Sequence, residues 1–126
     1  MSVNSEFKVQ GLIESYNPDS KPLGGTKHNK DKVDVTMIPS IAILEESKAL
    51  MVGEKKYGRW NFEKGFKTSD LIGAALRHIY AYLDGESHCP VDKQHHLGAA
   101  RASLGMLLRL EQLNKVTDDR SPNGAE

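Results

Sequence analysis

Residues 68–85 read TSDLIGAALRHIYAYLDG, and their spacing decides the fold. Ile72, Leu76, Ile79 and Leu83 recur at steps of four, three and four, the interval that gathers side chains on one face of an α-helix. Thr68 and Ser69 are helix-start residues, and Gly85 suits the left-handed backbone that closes a helix.

Working outward, the same pattern repeats on both sides. Upstream, Pro39 and Ser40 open a run of strong helix formers, IAILEESKALMVGEKKY, that lasts until Gly58. Downstream, a third helix is predicted from near Asp92 to about Asn114, burying Leu97, Ala100, Leu104, Leu107 and Leu108. Three helices with one apolar stripe each predict an all-α helical bundle. A bundle this thin also favours pairing of chains.

The flanks are less regular. In residues 1–38, Phe7, Val9, Gly11 and Ile13 fall at period two and suggest a short strand, followed by turn chemistry in NPDSKPLGG and a polar loop, TKHNKDK. After Val116 no large apolar residue follows, which predicts a disordered tail over residues 115–126. The helical domain is thus placed at residues 39–114.

Composition bounds the function. The 17 basic and 17 acidic residues balance, so the broad positive field of a nucleic-acid binder is missing and any phosphate affinity must be local. A single cysteine, Cys89, makes no internal disulfide, which fits a reducing cytoplasm. No apolar run matches a signal peptide or a membrane span, so a soluble intracellular domain is expected.

Local chemistry concentrates in GEKKYGRWNFEKGF, residues 53–66. Lys55 and Lys56 suit the negative end of the helix dipole, but that role does not explain Tyr57, Arg59, Trp60, Asn61 and Phe62 directly after them. Rings beside cations can stack a base and pair with phosphates; they also can plug a loop onto the bundle, and both readings stand. Glu46 shares a helix face with Ala42, Ala49 and Gly53, whose small side chains leave room, while its neighbour Glu45 points elsewhere. Arg77 lies among Gly73, Ala74, Ala81 and Asp84, able to pair with the acid or reach a phosphate, and His78 is one step round. In DGESHCPVDKQHH, residues 84–96, one thiol and Cys-x5-His-His spacing argue against structural zinc. Oxygen ligands fit better: Glu86, Asp92 and a glutamate of the first helix would suit Mg²⁺ or Mn²⁺.

The order of these pieces resembles a known family. An apolar helix with acids, then G-x-K-K-Y-G, a Trp-Asn pair, Arg-His, Gly-Glu and His-His is similar to the phage dATP/dGTP diphosphohydrolases, the MazZ-like branch of the all-α MazG-type nucleotide pyrophosphohydrolases. The likeness runs over residues 27–110 and is carried by Lys27, Lys32, Pro39, Gly53, Lys55, Lys56, Tyr57, Gly58, Trp60, Asn61, Gly65, Arg77, His78, Gly85, Glu86, His95 and His96. The chain departs from that pattern at several places. Trp60 and Asn61 stand in reversed order, Cys89 replaces an acid, Val91, Asp92 and Lys93 replace E-S-G, Ser103 stands where asparagine is frequent, and Ala49 breaks the E-E-x-x-E helix.

The resemblance implies a MazG-like bundle assembled as a homodimer or homotetramer. It implies hydrolysis of a purine deoxynucleoside triphosphate, dGTP above all, to the monophosphate dGMP, and a setting in phage DNA synthesis with 2-aminoadenine. In that scheme Glu45, Glu46, Glu86 and Asp92 hold two or three Mg²⁺ or Mn²⁺ ions. Glu46, Lys55, Lys56, Arg77 and His78 form the catalytic group, and Lys32, Tyr57, Trp60 and Asn61 bind substrate. No nucleic acid and no membrane partner is expected. A nucleotide-binding regulatory module without turnover, or a helical adaptor, would keep the cations and rings without needing the acids.

Overall fold

The computed structural model describes Gly24, Thr26 and residues 31–122. The chain divides into two units, residues 2–37 and residues 38–126. In the first, a 3-10 turn spans Val35–Met37, and Asp34 accepts hydrogen bonds from the hydroxyl and the backbone N–H of Thr36. Those two bonds hold the Asp34 carboxyl below its usual range. The strand expected near residues 7–13, and Lys27, lie outside the described residues.

The second unit is mostly helical: α1 (Ser40–Tyr57), α2 (Thr68–Leu83) and α3 (His96–Leu113). Among the described residues none of these is long and apolar enough to cross a membrane. α1 starts after Pro39, whose fixed φ pre-sets the entry, and ends where Gly58 takes φ 92° and donates to the Glu54 carbonyl. A 3-10 turn over Asn61–Lys64 follows, then Gly65 at φ 117°. A Cβ there would lie 3.0 Å from the Lys115 carbonyl oxygen, so the site needs glycine twice over. The close approach permits a short parallel pair, β1 (Phe66–Lys67) with β2 (Val116–Thr117). Because β1 precedes α2 and β2 follows α3, the pair sets the start of α2 beside the end of α3, and the two helices run antiparallel.

At residues 116–119 the structure departs from the sequence expectation of a disordered tail; residues 123–126 lie outside the described residues. Val116–Thr117 pair in the sheet, and Asp119 accepts from the backbone N–H and the hydroxyl of Ser69 in the first turn of α2. That helix terminus has unpaired N–H donors, so a carboxylate from the tail is a natural partner. The hydroxyl and then the backbone bond hold Asp119 below the usual carboxylate range.

α3 is the middle helix, packed against α1 on one side and α2 on the other. It begins at His96 rather than near Asp92. Residues 88–95 fold back on themselves first: Cys89 N–H donates to the Gln94 carbonyl, Lys93 N–H to the Cys89 carbonyl, and Lys93 sits at φ 66°. His95 takes the N-cap position, its Nδ1 accepting from Leu97 N–H at 3.0 Å.

What lies between the helices is small. Ala49, Ala75, Ala99, Ala100 and Ala102 are buried, and Leu71 and Leu110 are the large apolar side chains among the buried residues. At the tightest point a Cβ on Gly98 would stand 2.4 Å from the Glu45 carbonyl oxygen. α1 and α3 therefore touch backbone to backbone. The predicted stripes are displaced accordingly. On α2 the buried face is Thr68, Leu71 and Ala75, while Leu76, Ile79 and Leu83 are exposed and Ile72 is half-buried. On α3, Ala100 alone of the predicted face is buried; Leu97, Leu104 and Leu108 are exposed and Leu107 is half-buried. Close helix approach selects small residues, and the large ones are left beside the seam instead of in it.

Candidate functional site

A cavity of about 520 Å³ opens between α1, the turn after it and α3. Its walls follow from local sequence. Gly53 and Gly105 lower two of them by having no side chain, and Ala49 and Ala102 continue the small-residue seam. Tyr57, the last residue of α1, and Trp60, Asn61 and Phe62 of the turn after Gly58 line the cavity, as does Phe66. Trp60 is held at φ 69°, a left-handed conformation that costs a bulky residue on the order of 1 kcal/mol and persists only where packing fixes it. Phe62 supplies that packing, its ring 6.3 Å from the indole at 50°.

The polar groups around the cavity are mostly paired. Glu54 holds Arg59 at 2.8 Å, and Arg109 donates to Glu63 at 2.9 Å and to Gln112 at 3.0 Å. Glu46 is half-buried; its Oε1 accepts from Arg101 Nε at 3.2 Å, and its Oε2 lies beside Gly105. The last turn of α1 carries Lys55 and Lys56. Both are exposed, Lys55 without an ion pair among the described residues, Lys56 with Asp92 Oδ2 at 3.6 Å.

A second polar group sits where the connector meets α2 and α3. His96 is buried, with Glu86 Oε1 at 2.7 Å from Nε2 and His78 Nδ1 at 2.9 Å from Nδ1. A carboxylate only accepts, so Nε2 of His96 carries a proton; with both rings neutral, its Nδ1 accepts from His78 Nδ1–H and His78 Nε2 is left as an acceptor. His78 is correspondingly easier to keep neutral. Burial lowers its pKa first, His96 and Arg77 add to that, and Asp92 opposes them. Asp92 itself is pushed up by burial, but bonds from Cys89 and from the backbone and side chain of Gln94, with the Lys56 charge, bring it below the usual range. His88 and His95 meet edge to face nearby, ring centroids 4.8 Å apart, and Tyr82 lies 5.7 Å from His95.

The predicted site residues thus separate into two groups. Tyr57, Trp60, Asn61 and Glu46 meet at the cavity; Lys56, His78, Glu86 and Asp92 meet at the connector. Arg77 is exposed on α2, against Gly73 and without the Asp84 ion pair among the described residues. Lys32 belongs to the N-terminal unit, where it is exposed. The expected metal quartet does not assemble. Glu45 pairs with Lys48 at 3.2 Å, Glu46 with Arg101, Glu86 with His96 and Asp92 with Lys56. Among the described residues no three His, Cys, Asp or Glu side chains are placed to hold a metal ion. The sequence reading missed Arg101, Gly105 and Arg109 on α3 and the central place of His96. The small-residue spacing of Gly98, Ala102 and Gly105 was the available signal for a helix face that something approaches closely.

Comparison with known proteins gives the chain its relatives. It is 29% identical over 96 residues to a dATP/dGTP diphosphohydrolase of Salmonella phage PMBT28, a match covering 76% of this chain and 33% of that protein. The chain spans about a third of that relative's length. No solved structure gives a significant match. The model of the family described as dATP/dGTP diphosphohydrolase, N-terminal, matches residues 23–120, and the chain belongs to that family.

Proposed function

We propose that the chain is a diphosphohydrolase that takes a purine deoxynucleoside triphosphate, dGTP above all, to the monophosphate, releasing pyrophosphate or two phosphates. The observation that carries this reading is the aromatic-rimmed cavity of about 520 Å³ at the very turn of α1 that bears Lys55 and Lys56. A flat base needs a slot with rings, and a triphosphate needs cations next to it; one turn of helix supplies both. Tyr57 and Trp60 stack on the base, Asn61 bonds a polar edge, and Lys55, Lys56 and Arg77 bind phosphates. His78, kept neutral, offers Nε2 to a phosphate hydroxyl or to the attacking water, and the Glu86–His96 pair fixes its tautomer. Mg²⁺ or Mn²⁺ belongs to this proposal as the usual neutraliser of triphosphate charge. The four acids do not fit a single centre within the chain, so no step is assigned to the metal.

Assembly is part of the same reading. Successive helical residues turn by ~100°, so Ile72, Leu76, Ile79 and Leu83 of α2 fall on the same side of the antiparallel pair as Leu97, Leu104 and Leu108 of α3. Such a face is suited to a second copy, giving a homodimer or homotetramer. A role in making dGMP for 2-aminoadenine DNA synthesis extends the proposal to its biological setting.

One observation favours a second reading. Among the described residues Glu45, Glu46, Glu86 and Asp92 each pair with a separate cation or histidine, an arrangement that suits a nucleotide-binding module that does not turn its ligand over. Incubation with the common nucleoside triphosphates and Mg²⁺ or Mn²⁺, with products read by chromatography, separates the two. Appearance of dGMP from dGTP supports hydrolysis. Thermal stabilisation by dGTP with no product supports the binding module, and neither effect would remove both.

A further inference from the structure

Among the described residues the carboxylates that line the cavity are Glu46 and Glu54, each anchored through one oxygen, Glu54 by Oε2 to Arg59 and Glu46 by Oε1 to Arg101. Glu46 is the more buried of the two, its side chain 23% exposed against 41% for Glu54. Its Oε2 has no hydrogen-bond partner among the described residues and stands where a Cβ on Gly105 would come within 2.9 Å. Gly105 thus keeps a space around that oxygen. Gly53, on α1, keeps another: a Cβ there would meet nothing within 4 Å. Glycine inside a helix is less stable than alanine by about 0.5–1 kcal/mol, and among the described residues no contact accounts for it at Gly53. The two glycines leave room next to a carboxylate that is held in place from behind by Arg101.

Such a carboxylate selects its ligand by donor pattern. Each oxygen has two lone pairs, so Oε1 can accept a second bond while Arg101 holds it, and Oε2 is open. The group therefore presents two parallel acceptors. Guanine offers two adjacent donors, N1–H and the exocyclic N2–H, on one edge. Adenine offers a single exocyclic N–H beside a ring nitrogen whose lone pair a carboxylate repels. We infer that Glu46 reads the guanine edge and is the residue by which dGTP is preferred over dATP, a role in base choice instead of metal binding. The inference rests on the cavity being the base site of the proposed function.

Binding of dGTP, dATP and dITP to the full chain, measured by calorimetry, tests it. Inosine keeps N1–H and lacks the exocyclic amine, so the expected order of affinity is dGTP, then dITP, then dATP. In Glu46→Gln the ratio of dGTP to dATP affinity should fall by about tenfold to a hundredfold, the range for a bidentate polar contact to a base edge. Gly105→Ala, which displaces Oε2 without removing the charge, should lower the same ratio. A ratio unchanged in both variants would overturn the inference, as would a wild-type protein that binds dGTP and dATP equally; in either case the nucleotide site itself survives. Absence of binding by every nucleotide would instead remove the proposed function, and the inference with it. A melting curve for each variant shows that the fold is intact, and the ratio is insensitive to a general loss of active protein.

Discussion

α3 presents two faces that the sequence makes equally apolar and the structure treats oppositely. Toward α1 it shows Gly98, Ala99, Ala102 and Gly105, all buried or half-buried; on the outer side it shows Leu97, Leu104 and Leu108, all exposed. Side-chain volume decides between them. Where two backbones come into contact, a leucine cannot be accommodated, and burial of apolar area is surrendered for many short-range contacts between close-packed atoms. Among the described residues nothing covers the outer face, where Leu97, Leu104 and Leu108 stay exposed. Packing within the chain thus uses the small-residue side of the helix and leaves the leucine side exposed.

The largest effect should come from breaking the tight side. In Gly98→Val the new Cβ would collide with the Glu45 backbone, which has no rotamer to move away. α1 and α3 must separate, and overpacking of this kind costs about 1–3 kcal/mol or more. The expected result is loss of a cooperative melting transition, or a large drop in its midpoint by calorimetry. Unchanged melting would mean that α1 does not depend on this contact.

The open side should respond in the reverse way. Leu76→Glu with Leu104→Glu replaces exposed side chains, so the monomer should lose under about 1 kcal/mol of its own stability. Mass by light scattering should nevertheless fall to that of one chain. If the wild-type protein is already monomeric at micromolar concentration, the face has another occupant.

A smaller effect divides stability from binding. Gly53→Ala adds helix propensity without meeting a neighbour, so it should stabilise the fold by up to ~1 kcal/mol. The same methyl group intrudes on the cavity, so nucleotide-induced stabilisation should weaken. Both changes of sign are read from one pair of melting curves, with and without dGTP. A more stable variant that binds as well as before would show that the cavity wall at Gly53 is not used.

Helix positions were legible because they depend on local signals. Pro39, Gly58 and Gly85 mark ends through backbone conformation, and the structure places α1 and α2 at those marks. The buried faces were less legible: Ile72, Leu76, Ile79 and Leu83 have the period of a core stripe, but periodicity carries no information on which chain covers it. The α3 start was misplaced because the Cys89–Gln94 and His88–His95 pairings consume residues that look like a helix entrance. The tail was misread for a related reason, since the Asp119–Ser69 contact links residues fifty positions apart and leaves no pattern in either. At the site, the ring- and lysine-rich turn was recognisable from composition. The separation of the four acids was not, because it depends on which cation each one finds after the helices dock.

The side of α3 toward α2 adds a polar contact between His78 and His96, and pH should expose it. His78 meets His96 there, with Glu86, Asp92 and Arg77 as the other charged groups acting on the pair. Burial, then the His96 and Arg77 charges, lower the His78 pKa from its ordinary 6.5, so the folded protein resists a proton that the unfolded chain accepts. The sign follows by linkage: the unfolded state binds more protons as pH falls below 6.5, stability is full above that value, and it declines until the depressed folded pKa is reached. His78→Asn removes this titration while keeping a polar side chain that can bond His96. Between about pH 7.5 and about pH 5.5 the melting temperature of the wild type should therefore fall further than that of the variant. The difference between the two curves isolates His78 from every other group that titrates over the same range. Parallel curves would mean that the His78–His96 contact is loose enough to admit a proton without cost, and then Glu86 and His96 could not be fixing a tautomer for chemistry.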